Sequence, residues 1–222
     1  MTTSADLILY VGDKNISSWS MRPWVALHHK GVAFEERTIS LPGDPDRKRR
    51  REVSPTGRVP VLHHGELRIP DSLAILEYLE ETFPPPGHRA LWPADRARRA
   101  HARWLAAAMH SGFFELRESM SFNLCFLPAP PPASAKSLAE AGEMLALWED
   151  ALARNTEPGP FLFGSFGGAD AMYAPAVVRL TAFRVPLETF PRAAAYMRSV
   201  LAYGPVARWM EEARKLPPRE RY

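Results

Sequence analysis

The sequence predicts two units in series: an α/β unit over residues 1–83 and an all-helical unit over 94–222, joined by a linker at 84–93. Three observations carry that expectation. Apolar runs in the first third are short and alternate with a helical stretch, as strands around a helix do. Beyond residue 93 the chain turns Ala-, Leu- and Arg-rich, with no strand alternation. Between the two stands Pro84-Pro85-Pro86-Gly87, a stiff interruption. With 222 residues, 46% hydrophobic and 24% charged, the chain is long and apolar enough to bury a core, which argues against a disordered, collagenous or coiled-coil chain.

Each element follows in order. Leu7-Ile8-Leu9-Tyr10-Val11 reads as a strand, Met21 to Lys30 as a helix, and Val32-Ala33-Phe34 with Thr38-Ile39 as a second strand. An irregular arm follows. Val61 to Ile69 holds two apolar segments around Gly65 and reads as a tight hairpin. Asp71 and Ser72 offer caps for a helix whose apolar positions Leu73, Leu76, Leu79 and Phe83 recur at helical spacing. The helical unit divides into segments near 94–126, 134–154, 168–183, 190–203 and 205–214, with the Pro-rich run 128–132 turning the first corner.

Pro23 fixes the expected start of the first helix. It lacks an amide hydrogen and suits only a first turn, which places the N-cap at Ser20 and leaves Ser17 and Ser18 in the preceding loop. Amide hydrogens at such a terminus favour a small anion between the two hydroxyls. Plain capping explains the same serines, and spacing does not choose between the two.

Charge and cysteine content remove several classes of function. A net charge of +3, from 28 basic against 25 acidic residues, gives no footprint for nucleic acid. The basic block Arg47-Lys48-Arg49-Arg50-Arg51 follows the turn Pro42-Gly43-Asp44-Pro45-Asp46 and reads as a solvated surface segment. Cys125 is the single cysteine, so no internal disulfide, Cys-x-x-Cys pair or multi-cysteine zinc site is available. The histidines, His63-His64 included, form no His-x-x-x-His pair; no metal is expected, and exposed turn or strand positions account for them. No run reaches the ~18 apolar residues of a membrane span, and the opening MTTSADLILYVG lacks the order of a signal peptide, so the expected location is the cytoplasm.

The segment Ser17-Ser18-Trp19-Ser20-Met21-Arg22-Pro23-Trp24-Val25-Ala26-Leu27 resembles the first strand-helix turn of serine-type glutathione S-transferases, in particular the zeta-like Ser-Ser-x-Ser-x-Arg pattern. Ser54-Pro55-Thr56-Gly57-Arg58-Val59-Pro60-Val61-Leu62 is similar to the family's Pro-x-Gly-Lys-Val-Pro-x-Leu segment, and Asp71-Ser72-Leu73-Ala74-Ile75 to its Glu-Ser-x-Ala-Ile helix start. Gly164 to Asp170 resembles the Ser-x-Ala-Asp cap of the family's helical domain, with Gly167 where a Ser or Thr usually stands; Asp170 is expected to bond back toward the Gly167 amide and to serve folding. The motifs keep the family's order along nearly the whole chain.

The resemblance implies a thioredoxin-like N-terminal domain beside an all-α C-terminal domain, the glutathione S-transferase fold, with glutathione as co-substrate. It implies that Ser17, with Ser18 as the nearest alternative, donates a hydrogen bond to the glutathione thiolate. Arg58, Val59, Pro60, Asp71 and Ser72 then hold the tripeptide, Val59-Pro60 as a cis turn. Trp19, His110, Phe114 and Arg117 are assigned to the second-substrate surface. Arg22 is expected in a structural salt bridge or near the site. The expected activity is a glutathione transferase acting on a small electrophile, in a homodimer with neither nucleic-acid nor membrane partners; a zeta-like cis-trans isomerase and a non-catalytic binding protein are the alternatives. A serine nucleophile is disfavoured, because no Gly-x-Ser-x-Gly elbow is present.

Overall fold

A computed structural model describes residues 7–41 and 44–218, apart from the side chains of 44–47. The opening residues 1–6, Pro42-Gly43 of the arm's turn and the Arg47 side chain lie outside the described residues. Four strands form one sheet in the order β2-β1-β3-β4: β1 (Leu7–Val11), β2 (Glu35–Thr38), β3 (Val61–His64) and β4 (Leu67–Ile69). β1 runs parallel to β2, as the intervening helix α1 (Ser18–Lys30) requires, and antiparallel to β3. β3 and β4 form the expected hairpin, closed by Gly65 at φ +57°.

The next helices are α2 (Asp44–Val53), α3 (Ser72–Thr82), α4 (Arg96–Ser111), α5 (Phe114–Ser119), α6 (Ala135–Arg154), α7 (Gly168–Ala182), α8 (Pro191–Ala202) and α9 (Gly204–Arg214). One continuous apolar core runs from β1, α1 and α3 through α4 and α6–α9, so the two units share an interior. Trp24, Trp148 and Trp209 are its largest fully buried side chains. α7 is buried on all sides, the pattern of a helix at the centre of a packed unit. The linker is docked: Leu91 and Trp92 are buried, and the Leu91 carbonyl accepts from the Gly168 amide at 2.7 Å.

Four expectations are corrected. α1 starts at Ser18 with Ser17 as N-cap, which places Pro23 inside the helix. The bond that Pro23 cannot make is outweighed by tertiary packing: Met21, Trp24 and Val25 are fully buried, and the Ser20 Oγ accepts from the Gly12 amide at 3.1 Å, pinning the first turn to β1. The arm contains α2, on which Lys48, Arg49 and Arg51 are exposed as expected. The helix expected over 94–126 breaks at Gly112, which is extended, and Phe113, which is left-handed at φ +58°, into α4, α5 and a 3-10 turn over Phe122–Phe126. His63 and His64 are buried; one ring bonds the Val53 carbonyl at 2.6 Å and the other the Tyr78 hydroxyl at 2.8 Å.

Candidate active site

The loop after β1 delivers two hydroxyls to the start of α1. Ser17 and Ser18 are both 5% exposed. Ser17 occupies the N-cap, yet its side chain caps no amide, and the first turn carries no acidic residue. Its Oγ lies 2.7 Å from the Ser20 Oγ, which accepts from the Gly12 amide. The result is a chain of polar groups, Gly12 N–H to Ser20 to Ser17, ending at an uncapped helix terminus with its partial positive charge. Ser18 faces the other unit, where its Oγ accepts from Arg179 Nη2 at 2.9 Å.

A cavity of about 280 Å³ is lined by Arg58, Val59, Pro60, Pro70, Asp71, Ser72 and His110, and reaches the α1 terminus through Trp19; Ser17 and Ser18 themselves do not line it. All five residues assigned to the tripeptide therefore converge, and the Val59–Pro60 bond is cis. Asp71 is the N-cap of α3, its Oδ1 accepting from the Leu73 and Ala74 amides at 2.9 Å each. Its Oδ2 lies 3.1 Å from His110 Nε2 across the domain junction. Burial lowers the His110 pKa, and the Asp71 charge opposes it. His110 and Trp19 thus line the same cavity as the residues assigned to the tripeptide, whereas Phe114 and Arg117 do not line it; the Arg117 guanidinium lies 4.7 Å from the Phe114 ring and 5.4 Å from that of Trp19.

Cations dominate the electrostatics. Arg22 is 1% exposed, stacks 4.1 Å over the Trp19 ring and reaches the Ser72 Oγ at 3.5 Å. Among the described residues it has no acidic partner, so the expected salt bridge is replaced by a place at the site. Burial, then the charges of Arg179 and Arg117, lower its pKa to about 9. Arg179 is 3% exposed, donates to the Met120 carbonyl at 2.9 Å, and is lowered to about 10 by burial. Arg22 Nε and Arg179 Nη1 are buried with no hydrogen-bond partner. Buried guanidinium groups without a carboxylate are costly, and strongly perturbed charges of this kind mark a candidate site.

Sequence reasoning passed over Arg179. The available signal was a single cation within the otherwise apolar Ala176-Val177-Val178-Arg179-Leu180. Cys125 is pushed up to about 12 by burial, which leaves it a poor nucleophile at neutral pH. A larger recess of about 400 Å³ between the linker and α7 places Arg98 beside Glu157, its ion-pair partner at 2.8 Å, and holds none of the residues above. Among the described residues no three His, Cys, Asp or Glu side chains converge as a metal site would need, and no helix is long and apolar enough to cross a membrane.

Comparison with known proteins identifies the family. Residues 16–82 match the family description "Glutathione S-transferase, N-terminal domain", and residues 131–212 match "Glutathione S-transferase, C-terminal domain". A probable maleylacetoacetate isomerase of Caenorhabditis elegans is 36% identical over 105 residues, 47% of this chain and 47% of that protein, so the match spans about half its length. The Rattus norvegicus maleylacetoacetate isomerase is 29% identical over 199 residues, 88% of each chain. A glutathione transferase homolog from Burkholderia GL BGR1, solved with bound glutathione, is 32% identical with a TM-score of 0.69, covering 96% of this chain and 99% of that one.

Proposed function

The chain belongs to the glutathione S-transferase family, and from that premise we propose that it binds glutathione in the cavity beside Trp19 and activates the thiol for attack on a small, acidic electrophile. The convergence of Arg58, Val59, Pro60, Asp71 and Ser72 next to an uncapped helix start carries this reading. Ser72 and Arg22 receive the γ-glutamyl carboxylate, and Asp71, whose Oδ1 already caps the Leu73 and Ala74 amides, receives its ammonium through Oδ2. The Val59 backbone pairs with the cysteinyl unit, which directs the sulfur toward Ser17.

Ser17 donates; it does not attack. An unperturbed thiol with pKa ~8.5 is only a few per cent ionised at neutral pH. A hydrogen bond to the thiolate contributes about 1.5 to 3 kcal/mol and the helix terminus about 0.3 to 1, together roughly 1.3 to 3 pKa units. That range suffices without a general base or a metal. Ser20, which accepts from the Gly12 amide, has its own proton to give to Ser17 across their 2.7 Å contact, and in this reading the Ser17 proton goes to the sulfur. Ser18 is held by Arg179 and is the second candidate.

The unpartnered nitrogen of Arg179, together with Arg117 beside the Trp19 ring, favours a carboxylate-bearing acceptor over a purely apolar one. In the transferase reading the thioether is the product. Where the acceptor is an unsaturated acid, the adduct can rotate about the former double bond and expel the thiolate, so that the net reaction is a cis-trans isomerisation; the same arginines support this second reading. A cytoplasmic homodimer completes the proposal, with Trp104 of α4, 52% exposed, as a candidate anchor between subunits.

The test is titration of bound glutathione by thiolate ultraviolet absorbance in the intact protein, in Ser17→Ala and in Ser18→Ala. A raised thiol pKa in Ser17→Ala supports the assignment, and an unchanged value in both variants refutes it. Recording glutathione consumption during turnover of unsaturated acids separates transferase from isomerase.

A further inference from the structure

The turn that carries Ser17 is gripped by the far end of the chain. In the loop between β1 and α1, Lys14 is 8% exposed although it bears a charge. Its Nζ pairs with Glu36 at 2.8 Å and with Glu212 of α9, and sits 4.7 Å from the Trp24 ring and 5.2 Å from the Trp209 ring. The backbone is held as well: the Trp209 indole donates to the Lys14 carbonyl at 3.1 Å, and the Asn15 amide group donates to the Pro217 carbonyl at 2.8 Å. Glu36 is itself fixed by the Trp24 indole at 2.6 Å. Immediately after these anchors, the Ile16 and Ser17 amides both donate to the Asp13 carbonyl, at 2.9 and 2.8 Å, and Ser17 follows as the N-cap.

We propose that Lys14 and the α9 segment bearing Trp209 and Glu212 are positioning elements for the Ser17 hydroxyl: they set the 13–17 turn so that the hydroxyl points at the sulfur. The inference rests on the reading of Ser17 given above. A hydrogen bond weakens steeply with misalignment, so a small displacement of this turn removes much of the thiolate's stabilisation without altering the tripeptide's other contacts. The cage combines ion pairs to two carboxylates with cation–π contact to two indoles, and it links residues nearly two hundred positions apart in the chain. None of its groups lines the cavity that holds Arg58, Val59, Pro60, Asp71 and Ser72, so the proposal assigns its effect to the turn that carries Ser17.

The test uses Lys14→Met, Glu212→Gln and Trp209→Phe in the full chain, with Arg154→Ala, at an exposed surface pair, as control. Two measurements are made: the thiol pKa of bound glutathione, and hydrogen exchange of the Ile16 and Ser17 amides. Positioning predicts that all three variants raise the thiol pKa by roughly half a unit or more, a threefold drop in thiolate at a pH below the pKa, while the glutathione Kd stays within about twofold. It also predicts faster exchange at both amides. A simple field effect predicts opposite shifts, because loss of the Lys14 cation raises the thiol pKa and loss of the Glu212 anion lowers it; opposite signs overturn the proposal. Unchanged exchange in all three variants also overturns it. Faster exchange with a raised pKa in these variants, but none in Ser17→Ala, would remove the serine from the mechanism and leave the clamp acting on another donor of the same turn, overturning the proposal as stated. Combined with Ser17→Ala, Lys14→Met should add nothing further to the thiol pKa.

Discussion

Two helices begin within the same core, their first amides each taken by a backbone carbonyl, and differ in whether a carboxylate stands in the first turn. At the start of α7, Asp170 is 1% exposed and accepts from the Gly167 amide at 2.8 Å and the Leu162 amide at 3.2 Å. Two buried donors are satisfied by the chain's own carboxylate, and the Gly168 amide is taken by the Leu91 carbonyl. At the start of α1, the N-cap Ser17 makes no capping bond, the first turn has no acid, and the neighbouring charges are arginines. The first terminus is closed by a carboxylate; the second has none, which is what the proposed binding of an anion there requires. A helix terminus becomes a site when the chain withholds the cap that would otherwise stabilise it, and the cost of that omission is recovered when ligand binds.

Perturbing the closed terminus should unfold the protein without touching the sulfur. Asp170→Ala leaves two buried amides without an acceptor, and a loss of about 2 to 4 kcal/mol in urea unfolding is expected, while the folded fraction binds glutathione with an unchanged thiol pKa. Burial also lifts the Asp170 carboxyl from 3.8 to about 7, against the backbone donors that favour its charged form. Between those values the folded chain holds a proton that the unfolded chain has released, so stability falls as pH rises through that window. The Asp170→Ala variant should lose this slope. A normal stability in the variant would erase the distinction between the two termini.

Perturbing the cationic surround of the open terminus should do the reverse. Arg179→Met should reduce kcat/KM for an acidic electrophile by roughly 30-fold, about 2 kcal/mol, and have a much smaller effect on a neutral one such as 1-chloro-2,4-dinitrobenzene. Equal losses on both substrates would mean that Arg179 acts on the protein and not on the acceptor's charge.

A smaller effect sharpens the comparison at the closed end. Gly167 replaces a capping hydroxyl, and a Cβ there would meet the Leu91 carbonyl oxygen at 2.7 Å. Gly167→Ser should therefore lower stability, by about 1 kcal/mol, despite restoring the cap's chemistry. A gain in stability would show that the docked linker can move aside.

Much of this was legible from residue patterns. The β3–β4 hairpin follows from Gly65 between two apolar runs, and α3 from Asp71 ahead of apolar residues at helical spacing, because both depend on neighbours in the chain. The start of α1 was misplaced, since Pro23 argues from one missing hydrogen bond while burial of Met21, Trp24 and Val25 and the Gly12–Ser20 bond argue from partners in space. The break at Gly112 escaped notice because one glycine in a helical pattern is usually tolerated. The serines and the residues proposed for the tripeptide stand in motifs that are legible along the chain. Arg179 was not legible in this way, because its meaning lies in burial and in the 2.9 Å contact with Ser18, 161 positions away. Lys14 was missed for the same reason, its partners in α9 being distant in the chain.

The most direct measurement is the ultraviolet titration of glutathione bound to the intact protein and to Ser17→Ala. The open-terminus account predicts a thiol ionising well below its free value in the former and roughly one to two units higher in the latter, with stability changed by less than about 1 kcal/mol. Superimposable titration curves would contradict it.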